Sequence, residues 1–355
     1  MSGRRHDMSP TVVRALGRRG RPWVAPGLAA AVVGVVALSP DPYLHAAAGR
    51  MLPLAVLAVS VAAVTGHAGL PTLGQVAPYA AGAYTTARLA LAGSDLAPLH
   101  LLAAAGAGAL TAAVIGAVLV RYRATVFLML SLAAAELTAI TAAQWRTVSG
   151  GTDGLAGIPA PRLLPGLPPL LADRTVLLYA TVVSIAATAV AMALLGGDRR
   201  TLLAAVRGNE ARAAASGHRV TTYLWVVHAG AGALAGIGGA LLIHTHRWIT
   251  PADVGFTTAA LALLAVVIGG AMSLPGAATG AIAVLTVRDV VAAPLPGHAP
   301  LLLGSLFVTA VYLLPGGLTA LLTRLSLRLH PRSAHGTGHP APVDEAGRST
   351  VRSTP

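Results

Sequence analysis

Asp198–Gly217, DRRTLLAAVRGNEARAAASG, is the stretch from which the rest of the chain can be read. It lies between two long apolar runs and sets Arg199, Arg200, Arg207 and Arg212 around a single Glu210. Leu202, Leu203, Ala204, Ala205, Ala211, Ala213, Ala214 and Ala215 give it strong helix propensity. Gly208 and Gly217 let the backbone stop or turn at low steric cost. The segment is predicted as two short surface helices facing the cytoplasm. Connections between packed helices usually run to roughly 2–8 residues, so a charged helical segment of this length calls for a role, such as docking on a partner.

The apolar runs on either side belong to a chain of 355 residues that is 55% hydrophobic and 10% charged. A soluble domain carries roughly 25% charged residues, so a water-facing surface cannot be built from this composition. The fold class is an all-α polytopic membrane protein. With no cysteine, disulfides, thiolate metal sites and cysteine nucleophiles are excluded. The formal net charge of +13 could suggest nucleic acid, but every lysine-or-arginine position is arginine, and the arginines sit between apolar spans. A phosphate-binding P-loop needs a lysine, so the chain cannot hold a Walker A site. Any ATP must be bound by a separate subunit.

In chain order, residues 1–22 form a basic N-terminal segment with Arg4, Arg5, Arg14, Arg18, Arg19 and Arg21. Val24–Leu38 reads as an uncleaved first helix, its small-residue cleavage pattern being too poor for a signal peptide. Further spans are predicted at 51–65, 76–92, 97–120, 124–145, 175–196, 221–243, 257–272, 277–292 and 300–322, about ten in all. Several are shorter than the ~20 residues of a straight spanning helix, so 66–75 and 273–276 are candidates for re-entrant or hairpin turns. The permease-like membrane domain would cover 23–323, with a cytoplasmic loop at 197–220 and an extracytoplasmic loop at 146–174.

The positive-inside rule supports this order. With a cytoplasmic N-terminus, the segment 1–22, the turn near 66–75, Arg121–Arg123, 197–220 and the C-terminal tail face inward and hold 18 of the 25 arginines. The tail, 324–355, is rich in Ser, Gly, His and Pro. It cannot bury enough apolar area to offset its ordering entropy, which predicts disorder.

Four blocks now form a recognisable set. Thr65-Gly66-His67-Ala68-Gly69 runs through Leu73-Gly74-Gln75 to Gly82-Ala83-Tyr84-Thr85. Trp145-Arg146 precedes Ser149-Gly150-Gly151-Thr152-Asp153-Gly154-Leu155 and Gly157-Ile158-Pro159. Arg207-Gly208-Asn209-Glu210 is followed by Ala214-Ala215 and Gly217, and Gly269-Gly270 by Pro275-Gly276 and Gly280-Ala281. Over roughly residues 50–320 the chain resembles the permease subunits of branched-chain amino acid ABC importers, most closely the type called LivM. Thr72 in place of the usual Ser, Pro78 where Phe is common, and Ala271 and Gly276-Ala277 in the fourth block depart from the pattern and bear on substrate identity.

The resemblance implies a bacterial cytoplasmic-membrane protein with both termini inside. It would work with a sister permease, ABC ATPase subunits that hydrolyse ATP, and an extracytoplasmic substrate-binding protein. The chain would bind no cofactor of its own. Arg207, Asn209, Glu210 and Gly217 would then belong to the segment that couples to the ATPase.

The residues also support readings of their own. Alternating access needs a stiff connection between an energy source and the moving helices, and two short helices supply one. Glu210 and the arginines offer charge partners to an ATPase, whereas topology alone has no use for Asn209-Glu210. Glu136 lies inside an apolar run, where a carboxylate costs about 2.5–3.5 kcal/mol on insertion scales. It is a candidate pathway residue or proton carrier, or else bonds to a neighbouring helix; Ser131, Thr138 and Thr141 lie on a different face. Thr72 and Gln75, among Gly66, Gly69 and Gly74, mark irregular backbone, tolerated at membrane depth only where it is buried in protein or lines a cavity. They are candidates to face the substrate. Gly232-xxx-Gly236 and Gly276-xxx-Gly280 match small-residue helix packing. His244 and His246, with Asp253 nearby, lack further metal ligands and read as interfacial side chains. Trp145, Trp225 and Trp248 fall near span ends, as interfacial tryptophans do.

These observations predict an importer permease for branched-chain amino acids or a related small amphipathic solute, with no catalytic and no metal site. Two other classes remain. A self-sufficient proton-coupled transporter would depend on Glu136, and a membrane transferase would need acidic or histidine residues clustered at one membrane face.

Overall fold

The computed structural model describes residues 42–291, 298–313 and 317–318. Its elements are α1 (Pro42–Ala62), α2 (Val76–Leu91), α3 (Ala97–Leu119), α4 (Ala124–Gln144), the single turn α5 (Arg146–Ser149) and α6 (Asp173–Leu194). These are followed by α7 (Asp198–Gly208), α8 (Glu210–Ala215), α9 (Val220–His246), α10 (Phe256–Gly269), α11 (Leu274–Thr286) and α12 (Ala299–Leu313). Among the described residues there is no strand, only isolated bridges at Leu96–Arg162 and Leu155–Ile249. The predicted first span, the end of the last one and the polar tail lie outside the described residues.

Helices α1 and α9 form the centre. Their spanning segments are the most deeply buried of the candidate spans, whereas α3 and α4 leave Leu102, Leu110, Met129 and Leu137 exposed. In lipid an apolar face needs no protein partner, so helices associate through close packing of small residues. That requirement explains the glycines of α9. A Cβ at Gly236 would stand 2.1 Å from the Ala104 carbonyl oxygen, and one at Gly82 would stand 2.3 Å from the Gly236 oxygen. Helices α2, α9 and α3 therefore meet backbone against backbone. The Gly232-xxx-Gly236 pattern is a packing seam, as its spacing predicts.

Among the described residues, six helices are long and apolar enough to cross a membrane: Tyr43–His67, Ala97–Leu119, Ala124–Gln144, Asp173–Leu194, Val220–His246 and Pro251–Gly269. The sequence predicts about ten spans, and two of these, 76–92 and 277–292, correspond to the short helices α2 and α11. With 16 residues, α2 rises only about 24 Å against a hydrocarbon core of about 30 Å. Helix α11 has 13 residues. Each short helix follows a non-helical loop, 68–75 and 270–273 respectively. At the other extreme, α1 begins well before the predicted 51, at Pro42.

The predicted extracytoplasmic loop 146–174 is pinned at several points rather than open. Leu155 and Ile249 exchange backbone hydrogen bonds of 2.9 and 3.0 Å. Arg162 pairs with Asp95 at 2.9 Å, and the Arg88 side chain donates to the Val148 carbonyl at 2.7 Å.

Candidate functional site

The charged segment folds as the two short helices its composition predicts. Asp198 in the first turn of α7 and Arg207 in its last complement the helix dipole. Leu203 and Val206 bury the inner side of α7. Asn209 breaks the helix with extended backbone, and its side chain accepts a 2.9 Å hydrogen bond from the Arg212 backbone N–H, capping α8. Gly217 closes the pair at φ +86°, in the left-handed region that favours glycine. Thr201, Ala204, Ala205, Ala211 and Arg212 remain exposed.

The two charged residues predicted to meet a partner are bound within the chain. Glu210 receives Arg123 in a two-pronged pair, Nη2 at 2.6 Å and Nε at 2.7 Å, which ties α8 to the turn between α3 and α4. That hydrogen bond from the guanidinium holds the Glu210 carboxyl below the usual carboxylate range. Arg207 Nη1 donates to the Gly66 carbonyl at 2.8 Å and also contacts the sulfur of Met272. Its aliphatic stem lies so close over Gly69, which sits at φ +75°, that a Cβ there would be 2.8 Å from Arg207 Cγ.

The loop beneath Arg207 is the irregular stretch that contains Thr72 and Gln75. Helix α1 ends in a π-turn, Ala63–His67, and the chain then runs through the loop to α2. Thr72 Oγ1 accepts a 3.0 Å hydrogen bond from Gly74 N. Ser131 of α4 accepts one of 3.1 Å from Leu73 N. Gln75 stands at the start of α2 and is fully buried. Its carbonyl accepts from Ser60 of α1 at 3.1 Å, and its amide lies 3.3 Å from His228 Nδ1 on α9. Ser60 also bonds the Ala231 carbonyl at 2.6 Å. Gln75 therefore sits in a closed polar cluster joining α1, α2 and α9, while Thr72, also buried, bonds within the loop that leads to it.

Glu136 is half-buried on α4 and has no hydrogen bond or ion pair among the described residues. Thr138 and Thr141 bond back to carbonyls of their own helix. A second buried chain lies far along α9: His100 Nδ1 stands 3.1 Å from His244 Nε2, and the Tyr179 hydroxyl 3.0 Å from His244 Nδ1. His244 is thus a buried tie between α3, α6 and α9, and the expectation of an interfacial side chain is corrected for it. His246, by contrast, stacks on the exposed Trp248. Asp253 caps a 3-10 turn through Thr250. Among the described residues no group of three or more potential ligands is placed to hold a metal.

Sequence reasoning did not anticipate Ser60, His228 or Met272, and it gave Arg123 and Ser131 no partner. The signal for His228 was present, since an ionisable residue inside an apolar run calls for the scrutiny given to Glu136.

Comparison with known proteins adds one result. A family model described as the permease component of a branched-chain amino acid transport system matches residues 43–314. No curated protein and no solved structure matches the chain. The match covers most of the chain and every candidate span among the described residues. The chain belongs to the family of branched-chain amino acid transport permeases, and is a multi-pass membrane transport protein.

Proposed function

We propose that this member of the branched-chain amino acid permease family is one translocation subunit of an ATP-driven importer for a branched-chain amino acid or a related small amphipathic solute. It works beside a sister permease in the cytoplasmic membrane. ATPase subunits dock on α7–α8, and an extracytoplasmic binding protein delivers the solute to the opposite face. The observation that carries this reading is the helix pair itself. A capped pair of helices, anchored to the bundle on one side and exposed on the other, has the form expected of a docking element.

The pathway is assigned to the polar cluster at the loop before α2. Thr72 and Gln75 line it when α1, α2 and α9 separate, and in the present structure it is closed. Glu136 on α4 has no polar partner of its own among the described residues, and a carboxylate at membrane depth belongs against water or another subunit. It is assigned to the edge where the sister permease and the solute path meet.

The test is a mild-detergent pull-down of the tagged chain from its native membrane, comparing wild type with Ala205→Arg on the exposed face of α7. An ATPase recovered with wild type and depleted in the variant supports the reading. A chain that purifies alone and still moves solute in proteoliposomes without ATP overturns it in favour of ion-coupled transport.

A further inference from the structure

We infer that Arg207 is a positioning residue: it locks α7 to the loops 68–75 and 270–273, so that movement of α7 is delivered to Gln75. This rests on the importer reading given above.

The end of α1 already touches the loop before α11. Gly66 is so close to that loop that a Cβ there would stand 1.7 Å from the Ala271 carbonyl oxygen. Arg207 spans this junction, with its guanidinium on the Gly66 carbonyl and the Met272 sulfur, and its stem on Gly69. One side chain thus holds the end of α1, the loop before α2 and the loop before α11. A planar guanidinium with several fixed donors suits such a bridge, and a lysine with one point charge does not.

Beyond the junction the connections continue inward. Leu73 is held by Ser131 at 3.1 Å, and Gln75 reaches Ser60 and His228. The route from α7 to the polar cluster is therefore six residues of loop, Gly69 to Gly74, anchored at both ends. A displacement of α7 cannot leave the loop in place unless Arg207 lets go. Arg207 differs in this from Arg212, whose side chain is exposed and free of any such contact among the described residues.

The distinction is between a residue that grips the ATPase and one that passes on its movement. The experiment is made on the assembled transporter, with ATPase recovery, ATP hydrolysis and solute uptake measured in parallel. Arg207→Ala should keep ATPase recovery and hydrolysis within about twofold of wild type while uptake falls about tenfold, within the span that residues linking two sites are known to tune. Arg207→Lys, which keeps a positive charge on a flexible apolar stem, should recover part of the uptake. Gly69→Ala pushes the stem aside without removing the charge and should reproduce the uncoupling. It also decides the matter if Arg207→Ala fails to assemble. A loss of ATPase recovery in Arg207→Ala, with Gly69→Ala unaffected, would make Arg207 a partner contact and overturn the inference. Uptake unchanged in both variants overturns it as well. If wild type itself recovers no ATPase, it is the importer reading that fails, and the inference falls with it.

Discussion

Helix α9 and the α7–α8 pair are held in opposite ways. Along α9 the contacts are backbone on backbone, with Gly236 seated against Ala104 and Gly82 against Gly236. At α7–α8 the contacts are long arginine side chains reaching to a carboxylate and a carbonyl, Arg123 to Glu210 and Arg207 to Gly66. A shape contact at the steric limit has no slack, so it moves as a unit or fails. The exposed Arg123–Glu210 ion pair costs little to break and remake, while Arg207, wedged over Gly69, keeps α7 tied to the loops as the pair shifts. The difference teaches that the seam is the rigid body of the molecule and the helix pair is its adjustable joint.

The sharpest way to break that comparison is to enlarge the seam. Gly236→Leu drives a branched side chain into the Ala104 carbonyl and should cost at least the ~1–3 kcal/mol typical of overpacking. The check is a large drop in thermal stability in detergent, and retention of wild-type stability would deny that α9 is packed at its limit. Next comes the polar cluster. Gln75→Leu leaves His228 short of a partner while Ser60 keeps the Ala231 carbonyl, with an expected loss of about 1–3 kcal/mol, read by the same melting assay.

Smaller and opposite in sign is Gly230→Ala. This glycine lies on the same helix as Gly236, but nothing stands within 4 Å of an added Cβ. Removing a helical glycine should then stabilise by about 0.5–1 kcal/mol. A loss of stability would mean that the seam extends further along α9 than the contacts show.

The smallest effect is expected at the joint. Glu210→Gln removes an ion pair whose side chains are 31% and 40% exposed, worth about 0–1 kcal/mol after solvent screening. Its pH dependence has a fixed sign. A carboxylate with a lowered folded-state pKa stabilises above its unfolded value of 4.5 and loses that contribution as pH falls below it. An Arg123–Glu210 double-mutant cycle should therefore show coupling at neutral pH that fades in acid. Coupling that grows on acidification would contradict the pairing.

The parts of the molecule governed by local chemistry were legible in the sequence. Helix propensity and the Gly208 and Gly217 stops gave α7 and α8, and the four-residue glycine spacing gave the seam. What sequence could not supply was the direction of each long side chain. Glu210 and Arg207 look like outward-facing charges until the fold brings Arg123 and Gly66 to them. Gln75 and Thr72 were recognisable as belonging to irregular backbone, but the cluster around Gln75 depends on Ser60 and His228, 15 and 153 residues away. The short length of α11 escapes a hydropathy reading because the π-turn Val287–Val291 directly continues it with further valines. The histidine pair on α9 was misjudged in part for a similar reason: one of two neighbours, His244, turns inward to His100 on a distant helix.

The chain His100–His244–Tyr179 has a mechanical meaning as well. It fastens α9 near its last turn, while the first turn of the same helix lies beside α7, with Tyr223 donating to the Arg199 carbonyl at 3.2 Å. A 27-residue helix is about 40 Å long. Because α3 and α9 are seated against each other, the His100–His244 contact stays inside one rigid unit, and the Tyr179 hydroxyl ties that unit to α6. If the unit tilts about that tie, a displacement at Val220 arrives at His228 reduced to about two thirds and at Gly236 to about one third.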